Sequence, residues 1–193
     1  MPAGVKADAK RRELVAQAAA LFDRAGYHTT SVAAVAQAAG IRKPTLYHYF
    51  ASKDEILFAI HDEFIDLLIE RERARPADLP AADAVREAMR DVLELMDTHR
   101  GHVRAFFEHY RELSEEARAT IARKRDEYEA AVERHIAQGI ERGEFRPVDP
   151  RLTALAVFGM CNWAYQWYRR EGRLSSREIA DRFFDLLLNG LRR

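Results

Sequence analysis

The chain has 193 residues, 48% hydrophobic and 32% charged, with 31 basic and 31 acidic side chains and no net charge. This is the balance of a soluble globular protein of one or two domains with a sizeable core, and its bulk charge announces no nucleic-acid partner. One cysteine, Cys161, excludes an intrachain disulfide and suits a reducing cytoplasm; residues 1–8 lack the apolar run of a signal peptide, and residues 152–168 are too short and too polar for a bilayer span.

In chain order, the first predicted element is a helix over residues 10–25, with Leu14, Ala18, Leu21, Phe22 and Ala25 on one face and Gly26 as its stop. Its Lys10-Arg11-Arg12 start is either a phosphate contact or a solvated turn. Thr29, Thr30 or Ser31 caps the next helix, whose Val32, Val35, Ala36 and Ala39 fall at i, i+3, i+4 and i+7. Gly40 stands where a helix end needs a left-handed residue, and Pro44 suits the first turn of a second short helix. There Leu46 and Phe50 face inward, leaving Arg42, Lys43, Thr45, Tyr47 and His48 outside or along the rim. Two cations, a hydroxyl, a phenol and an imidazole on one short exposed helix suit DNA contact, and the pattern is a helix-turn-helix. Residues 1–50 carry seven basic and three acidic side chains, net +4, so the remainder carries −4. A basic head on an acidic body fits a protein that docks DNA with one end.

Gly26-Tyr27-His28-Thr29-Thr30-Ser31, Gly40-Ile41, Thr45-Leu46-Tyr47-His48-Tyr49-Phe50 and Ser52-Lys53-Asp54-Glu55 closely resemble the signature of the TetR family of bacterial transcriptional regulators. The likeness covers the first third of the chain and has several parts. It departs at Pro44, where members commonly carry Gly; proline removes one amide that could meet a phosphate. The resemblance implies that Arg42, Lys43, Thr45, Tyr47 and His48 meet the major groove and its phosphates, and that Thr30 and Lys53 clamp the DNA backbone.

Ser52 to Glu55 forms a capping box opening a helix to about residue 73, with Ile56, Ile60, Phe64, Leu67 and Leu68 inward. This places a functional boundary near Ala51: a DNA-binding domain over 1–51, and a ligand-binding and dimerisation domain over 52–193. Two prolines, Pro76 and Pro80, mark a loop. Helices are predicted over 82–98, over 103–113 after a break at Gly101, from Ser114 to about residue 143, from Asp149-Pro150 to about residue 171, and from a second capping box at Ser175 onward. No strand pattern or internal repeat occurs, so the predicted fold is all-α, about nine helices, a three-helix head on a helical body.

The final helix carries two apolar sides, Ile179, Phe183, Leu186 and Leu187 against Phe184, Leu188 and Leu191, one for the core and one for a partner helix. In TetR-type proteins the last two helices pair with their copies, so the resemblance implies a homodimer. For an effector, the aromatic residues Phe106, Phe107, Tyr110, Trp163 and Trp167, with Met160, are either core or the lining of an apolar pocket. Trp163, Trp167-Tyr168, Arg169-Arg170 and Gly172 resemble the C-terminal region of TetR-type regulators of fatty-acid and steroid catabolism, which respond to acyl-CoA thioesters. Arg169 and Arg170 then hold a phosphorylated head group, or simply mark a helix C-terminus. His99 and His102 have i, i+3 spacing, though a surface or pocket histidine outweighs a metal site there. No Ser-His-Asp set, glycine-rich phosphate loop or zinc-type cysteine spacing is present, so neither catalysis nor a cofactor or metal is expected. The expectation is a cytoplasmic dimeric repressor, released from a palindromic operator by a small apolar effector of acyl-CoA type. The alternative is a helical ligand-binding or enzyme-like protein with a vestigial head.

Overall fold

The computed structural model describes residues 3–191, with side chains from residue 7. Among them the elements are α1 (Ala3–Ala25), α2 (Val32–Ala38), α3 (Lys43–Tyr47), α4 (Lys53–Arg73), α5 (Ala81–Thr98), α6 (Arg100–Glu108), a 3-10 turn (Tyr110–Glu112), α7 (Glu115–Glu141), α8 (Pro150–Trp167) and α9 (Ser176–Leu191), with no strand.

The caps follow the sequence signals closely. The Ser31 hydroxyl accepts from the Ala34 amide at 3.1 Å, and Ser114 accepts from Ala117 at 3.2 Å. Asp149 accepts from Leu152 at 2.9 Å. In the Ser175 box both arms form, Glu178 N–H to Ser175 at 3.2 Å and Ser175 N–H to Glu178 at 2.8 Å. In the Ser52 box the return arm reaches one residue further back, to the Ala51 amide at 2.5 Å. Each such bond satisfies an amide that the helix leaves without a partner.

Four boundaries differ from expectation, the plainest being that the helix expected over 103–113 ends at Glu108, ahead of the 3-10 turn. α1 begins at Ala3, not at residue 10, because nothing from Val5 to Lys10 interrupts a helix. Gly101 lies inside α6 rather than marking a break: a Cβ there would stand 2.5 Å from the Ala19 carbonyl oxygen, so the glycine lets α6 approach the α1 backbone. α8 stops at Trp167, short of residue 171, because Tyr168 turns extended and its hydroxyl donates to Asp97 at 2.7 Å.

The chain forms two compact units. The first takes α1 to α3, α4 as far as Ile65, and His99–Ile121. Its core holds Leu14, Ala18, Phe22, Val35, Leu46 and Phe50, with Ile56, Leu57, Ile60 and Val103. α6 is fastened to α1 by Arg104, which donates to Asp23 at 2.9 Å. The second unit takes Asp66–Thr98 and the chain from Ala122 onward. In it α5 turns a continuous apolar face, Val85, Met89, Val92, Leu93 and Met96, toward α8 and α9. Arg90 donates to Asp181 of α9 at 2.6 Å. No helix among the described residues is long and apolar enough to cross a membrane.

Candidate functional site

The turn between α2 and α3 is built by Gly40. At φ +66° it lets the Ile41 amide donate to Ala36 at 3.0 Å and its own amide donate to Gln37 at 3.1 Å, the paired bonds of a left-handed helix stop. α3 then has only five residues and no side-chain cap. So short a helix has no stability of its own. It is held from beneath by Leu46, wholly buried, and by Phe50, 2% exposed, with the Arg11 guanidinium over the Phe50 ring at 4.8 Å. Arg42, Lys43, Thr45, Tyr47 and His48 are all exposed on the outer side, Tyr47 at 46%. The Lys43 ammonium lies 5.7 Å from the Tyr47 ring centroid. This surface offers donors, a phenol and an imidazole to base edges and phosphates while its apolar side is spent on the core.

Thr30 and Lys53 sit differently. Thr30 is 3% exposed; its hydroxyl donates to the Gly26 carbonyl at 2.7 Å and its amide to Tyr27 at 3.2 Å. The Lys53 ammonium donates to the carbonyls of Tyr27 at 2.7 Å and Thr30 at 3.0 Å, and lies 4.1 Å from the Tyr27 ring centroid. Both side chains are thus engaged within the head, fastening the α1–α2 turn to the start of α4. The Tyr27 hydroxyl completes the clasp by donating to Asp54 at 2.6 Å. Burial, then the Asp54 carboxylate, pushes the Tyr27 phenol well above its ordinary range, so it remains a donor. Beside it, the His28 ring meets Glu112 at 3.1 Å, and His109 stacks 5.5 Å from Tyr27. Sequence reasoning misses this clasp because Tyr27 and Asp54 are 27 positions apart.

In the same unit Phe106, Phe107 and Tyr110 gather against α4. Phe106 packs on Phe64 at 4.5 Å between centroids, and Phe107 meets Phe106 edge-on at 5.4 Å. Tyr110 faces His61 at 6.4 Å and donates its hydroxyl to the Arg118 carbonyl at 3.2 Å. Sequence reasoning also passes over His61, which is wholly buried beside Phe106 at 5.5 Å. A signal exists: Leu57, His61, Phe64 and Leu68 form an i, i+4, i+7, i+11 stripe within α4. His102, half of the suggested histidine pair, is 3% exposed, and its ring meets His99 edge-on at 5.3 Å. Among the described residues no three His, Cys, Asp or Glu are placed to hold a metal ion.

The second unit holds the remaining candidates. Met160 is half-buried, but Trp163 and Trp167 are 64% and 44% exposed, on an outer stripe of α8 with Leu152 and Leu155. On α9 the core side is Ile179, Ala180, Phe184 and Leu191, and Leu186 is 70% exposed. Trp167 borders a groove of about 350 Å³ with Arg169, Arg173, Arg182 and Phe183; Arg170 is exposed and does not line it. Cys161 is wholly buried, and burial pushes its thiol up to about 12, which keeps it protonated at neutral pH.

Residues 14–60 match bacterial regulatory proteins of the tetR family, and residues 78–191 match the tetracyclin repressor-like C-terminal domain. The chain is 27% identical over 187 residues to the HTH-type transcriptional repressor KstR2 of Mycobacterium tuberculosis, covering 95% of this chain and 94% of that one. It is similar to the TetR family transcriptional regulator PfmR from Thermus thermophilus, with TM-score 0.86, 34% identity, and 93% and 99% of the two chains covered. It is also similar to AibR, whose structure was solved with isovaleryl coenzyme A and operator DNA, with TM-score 0.80, 29% identity, and 93% and 98% covered.

Proposed function

This chain belongs to the TetR family of bacterial transcriptional regulators, and on that premise we propose that it is a cytoplasmic, dimeric repressor released from its operator by an acyl-CoA thioester. The observation that carries the DNA-binding part is the exposed face of α3, five polar side chains held outward by the burial of Leu46 and Phe50. Residues 1–51 serve as the reading head and 52–193 as the effector-binding and dimerisation body. Arg42, Lys43, Thr45, Tyr47 and His48 contact the major groove and its phosphates. Thr30 and Lys53 support that surface by bracing the turn ahead of α2, and the remaining donor capacity of Lys53 is available to a phosphate.

The exposed apolar residues of α8 and α9 support dimerisation through those helices. Leu152, Leu155, Trp163 and Leu186 would otherwise leave a broad greasy surface in water. A two-fold dimer also doubles the few base pairs that one short helix can read.

The acyl-CoA reading rests on chemistry and on likeness. The groove of α8 and α9 joins three arginines to three aromatic rings, those of Trp167, Tyr168 and Phe183, a composition suited to a phosphorylated, adenine-bearing head group. Effector binding releases DNA to the extent that it favours the non-binding arrangement of the dimer.

The test is fluorescence anisotropy of a labelled duplex from upstream of the protein's own gene. The duplex is titrated with protein and then with isovaleryl-CoA and longer-chain thioesters, using free coenzyme A as control. Saturable binding reversed by a thioester is expected. Binding that no thioester disturbs returns Arg169 and Arg173 to solvent-facing residues of the loop between α8 and α9.

A further inference from the structure

The groove beside Trp167 takes two of its three arginines from a segment with no helix of its own. Arg169 and Arg173 lie in the loop between the end of α8 at Trp167 and the start of α9 at Ser176. In an unanchored loop the two guanidinium groups would sample many positions, and ordering them on a ligand would weaken its binding. Here both ends of the loop are tied to one side chain of α5. Asp97, in the last turn of that helix, accepts from the Tyr168 hydroxyl at 2.7 Å through Oδ1 and from the Ser176 hydroxyl at 2.5 Å through Oδ2. Ser176 is 4% exposed, and its side chain and amide also meet the Tyr168 oxygen. Burial, then the Asp97 carboxylate, pushes the Tyr168 phenol above its ordinary range, so it stays a donor.

The tie reaches the arginines in short steps. The Arg169 guanidinium donates to the carbonyl of Tyr168, the residue whose ring Asp97 holds, at 3.0 Å. The Gly172 amide donates to the Arg169 carbonyl at 2.9 Å and closes a tight turn. A Cβ at Gly172 would stand 2.8 Å from that carbonyl oxygen, so the turn has no room for a side chain there. Asp97 itself does not line the groove, and both of its oxygens are taken by hydroxyl groups. It therefore acts on a ligand only through the loop.

We propose that Asp97 is the positioning residue of this groove: through Tyr168 and Ser176 it holds Arg169 and Arg173 where they receive the phosphates of a ligand. The inference rests on the reading of the groove as a site for a phosphorylated head group, and adds to it a residue of α5 that touches no ligand. The remaining donors of Arg169 and those of Arg173 then meet the anion without a further loss of loop freedom.

The test is calorimetry of the full-length protein with two probes, isovaleryl-CoA and inorganic pyrophosphate, on wild type, Asp97→Ala, Asp97→Asn and Tyr168→Phe. Asp97→Ala should weaken each probe that wild type binds by about tenfold. Asp97→Asn keeps an oxygen for Tyr168 and offers its amide to the Ser176 oxygen, so it should stay within about threefold of wild type. Tyr168→Phe removes one hydroxyl, leaves the Ser176 arm in place and should weaken binding about threefold; it carries the test if Asp97→Ala does not fold. Arg169→Ala should cost less affinity in the Asp97→Ala background than in wild type, a coupling that a general loss of stability does not produce. Wild-type affinity in Asp97→Ala and Tyr168→Phe, an Asp97→Asn protein as weak as Asp97→Ala, or strictly additive Arg169 losses overturn the proposal. If all variants bind isovaleryl-CoA alike, the positioning role falls and the acyl-CoA reading stands. If pyrophosphate alone binds and follows the expected order, the positioning role stands and the acyl-CoA reading falls. If neither probe binds wild type, both fall.

Discussion

Lys53→Met separates two accounts of Lys53. In the structure its ammonium donates to the carbonyls of Tyr27 and Thr30 at 2.7 and 3.0 Å and lies over the Tyr27 ring at 4.1 Å. Methionine keeps the length and the apolar stem and removes only the charge and its donors. A hydrogen bond to a charged group contributes about 1.5–3 kcal/mol, and a cation over an aromatic face about 0.5–1 kcal/mol at an exposed site. The side chain is half-buried, so solvent replaces part of each bond, and a loss of about 2–3 kcal/mol is expected. At about 2–4 °C per kcal/mol for a chain of this size, the midpoint should fall by about 4–12 °C, read by circular dichroism without DNA. Duplex affinity should fall too, because the turn preceding α2 loses its brace. A residue acting only on phosphate would leave the midpoint unchanged and reduce the slope of log affinity against log salt by about one. That pair of results would refute the structural role of the clasp.

Three further outcomes follow from the same geometry. Gly101→Ala places a Cβ 2.5 Å from the Ala19 carbonyl oxygen, so α6 must leave α1, and urea unfolding should show a loss of about 1–3 kcal/mol; unchanged stability would mean that the two helices approach less closely. His61 is held neutral by burial, with its proton binding depressed to about 4 against about 6.5 in the unfolded chain. The unfolded state therefore binds more protons between those values, and stability falls as pH drops through that window, by up to about 3 kcal/mol from this residue. His61→Phe should flatten that part of the acid profile, and a superimposable profile would contradict the assignment. Trp163→Arg with Leu186→Arg, both at exposed positions, should leave helicity intact and convert the dimer to monomer by light scattering; a dimer that survives would place the interface elsewhere.

Signals are legible in the sequence wherever the chemistry is local. Gly40 at φ +66°, the serine caps at 114 and 175, and the Asp149-Pro150 start each act within four residues and are found where the sequence places them, and Ser31 proves to be the cap among the three hydroxyls offered for α2. The inward turn of Leu46 and Phe50 follows from spacing alone, and with it the outward turn of the α3 polar set. What escapes depends on distant partners. Gly101 reads as a helix break, because nothing in its neighbours reveals the α1 backbone against which it packs. The end of α8 is set by Asp97, 71 positions before Tyr168, and Lys53 is drawn inward by carbonyls 23 and 26 positions away. Trp163 and Trp167 share the face that their spacing predicts, but periodicity alone does not say whether a face meets a cavity, a partner or water. His61 escapes because the apolar stripe runs equally well through Ile60 and Phe64, and a polar residue beside such a stripe reads as solvated.

The measurement that bears most directly on the whole account is the affinity of the purified dimer for its own upstream duplex and for a scrambled duplex of equal length, across a salt series. A repressor whose α3 reads bases and phosphates should bind its operator at least about a thousandfold more tightly than the scrambled duplex. The log of its affinity should fall linearly with log salt. The double substitution Lys43→Ala with Tyr47→Ala should abolish the preference without altering the fold. Equal affinity for both duplexes, or a preference that survives the double substitution, would contradict the assignment of α3 as the reading surface.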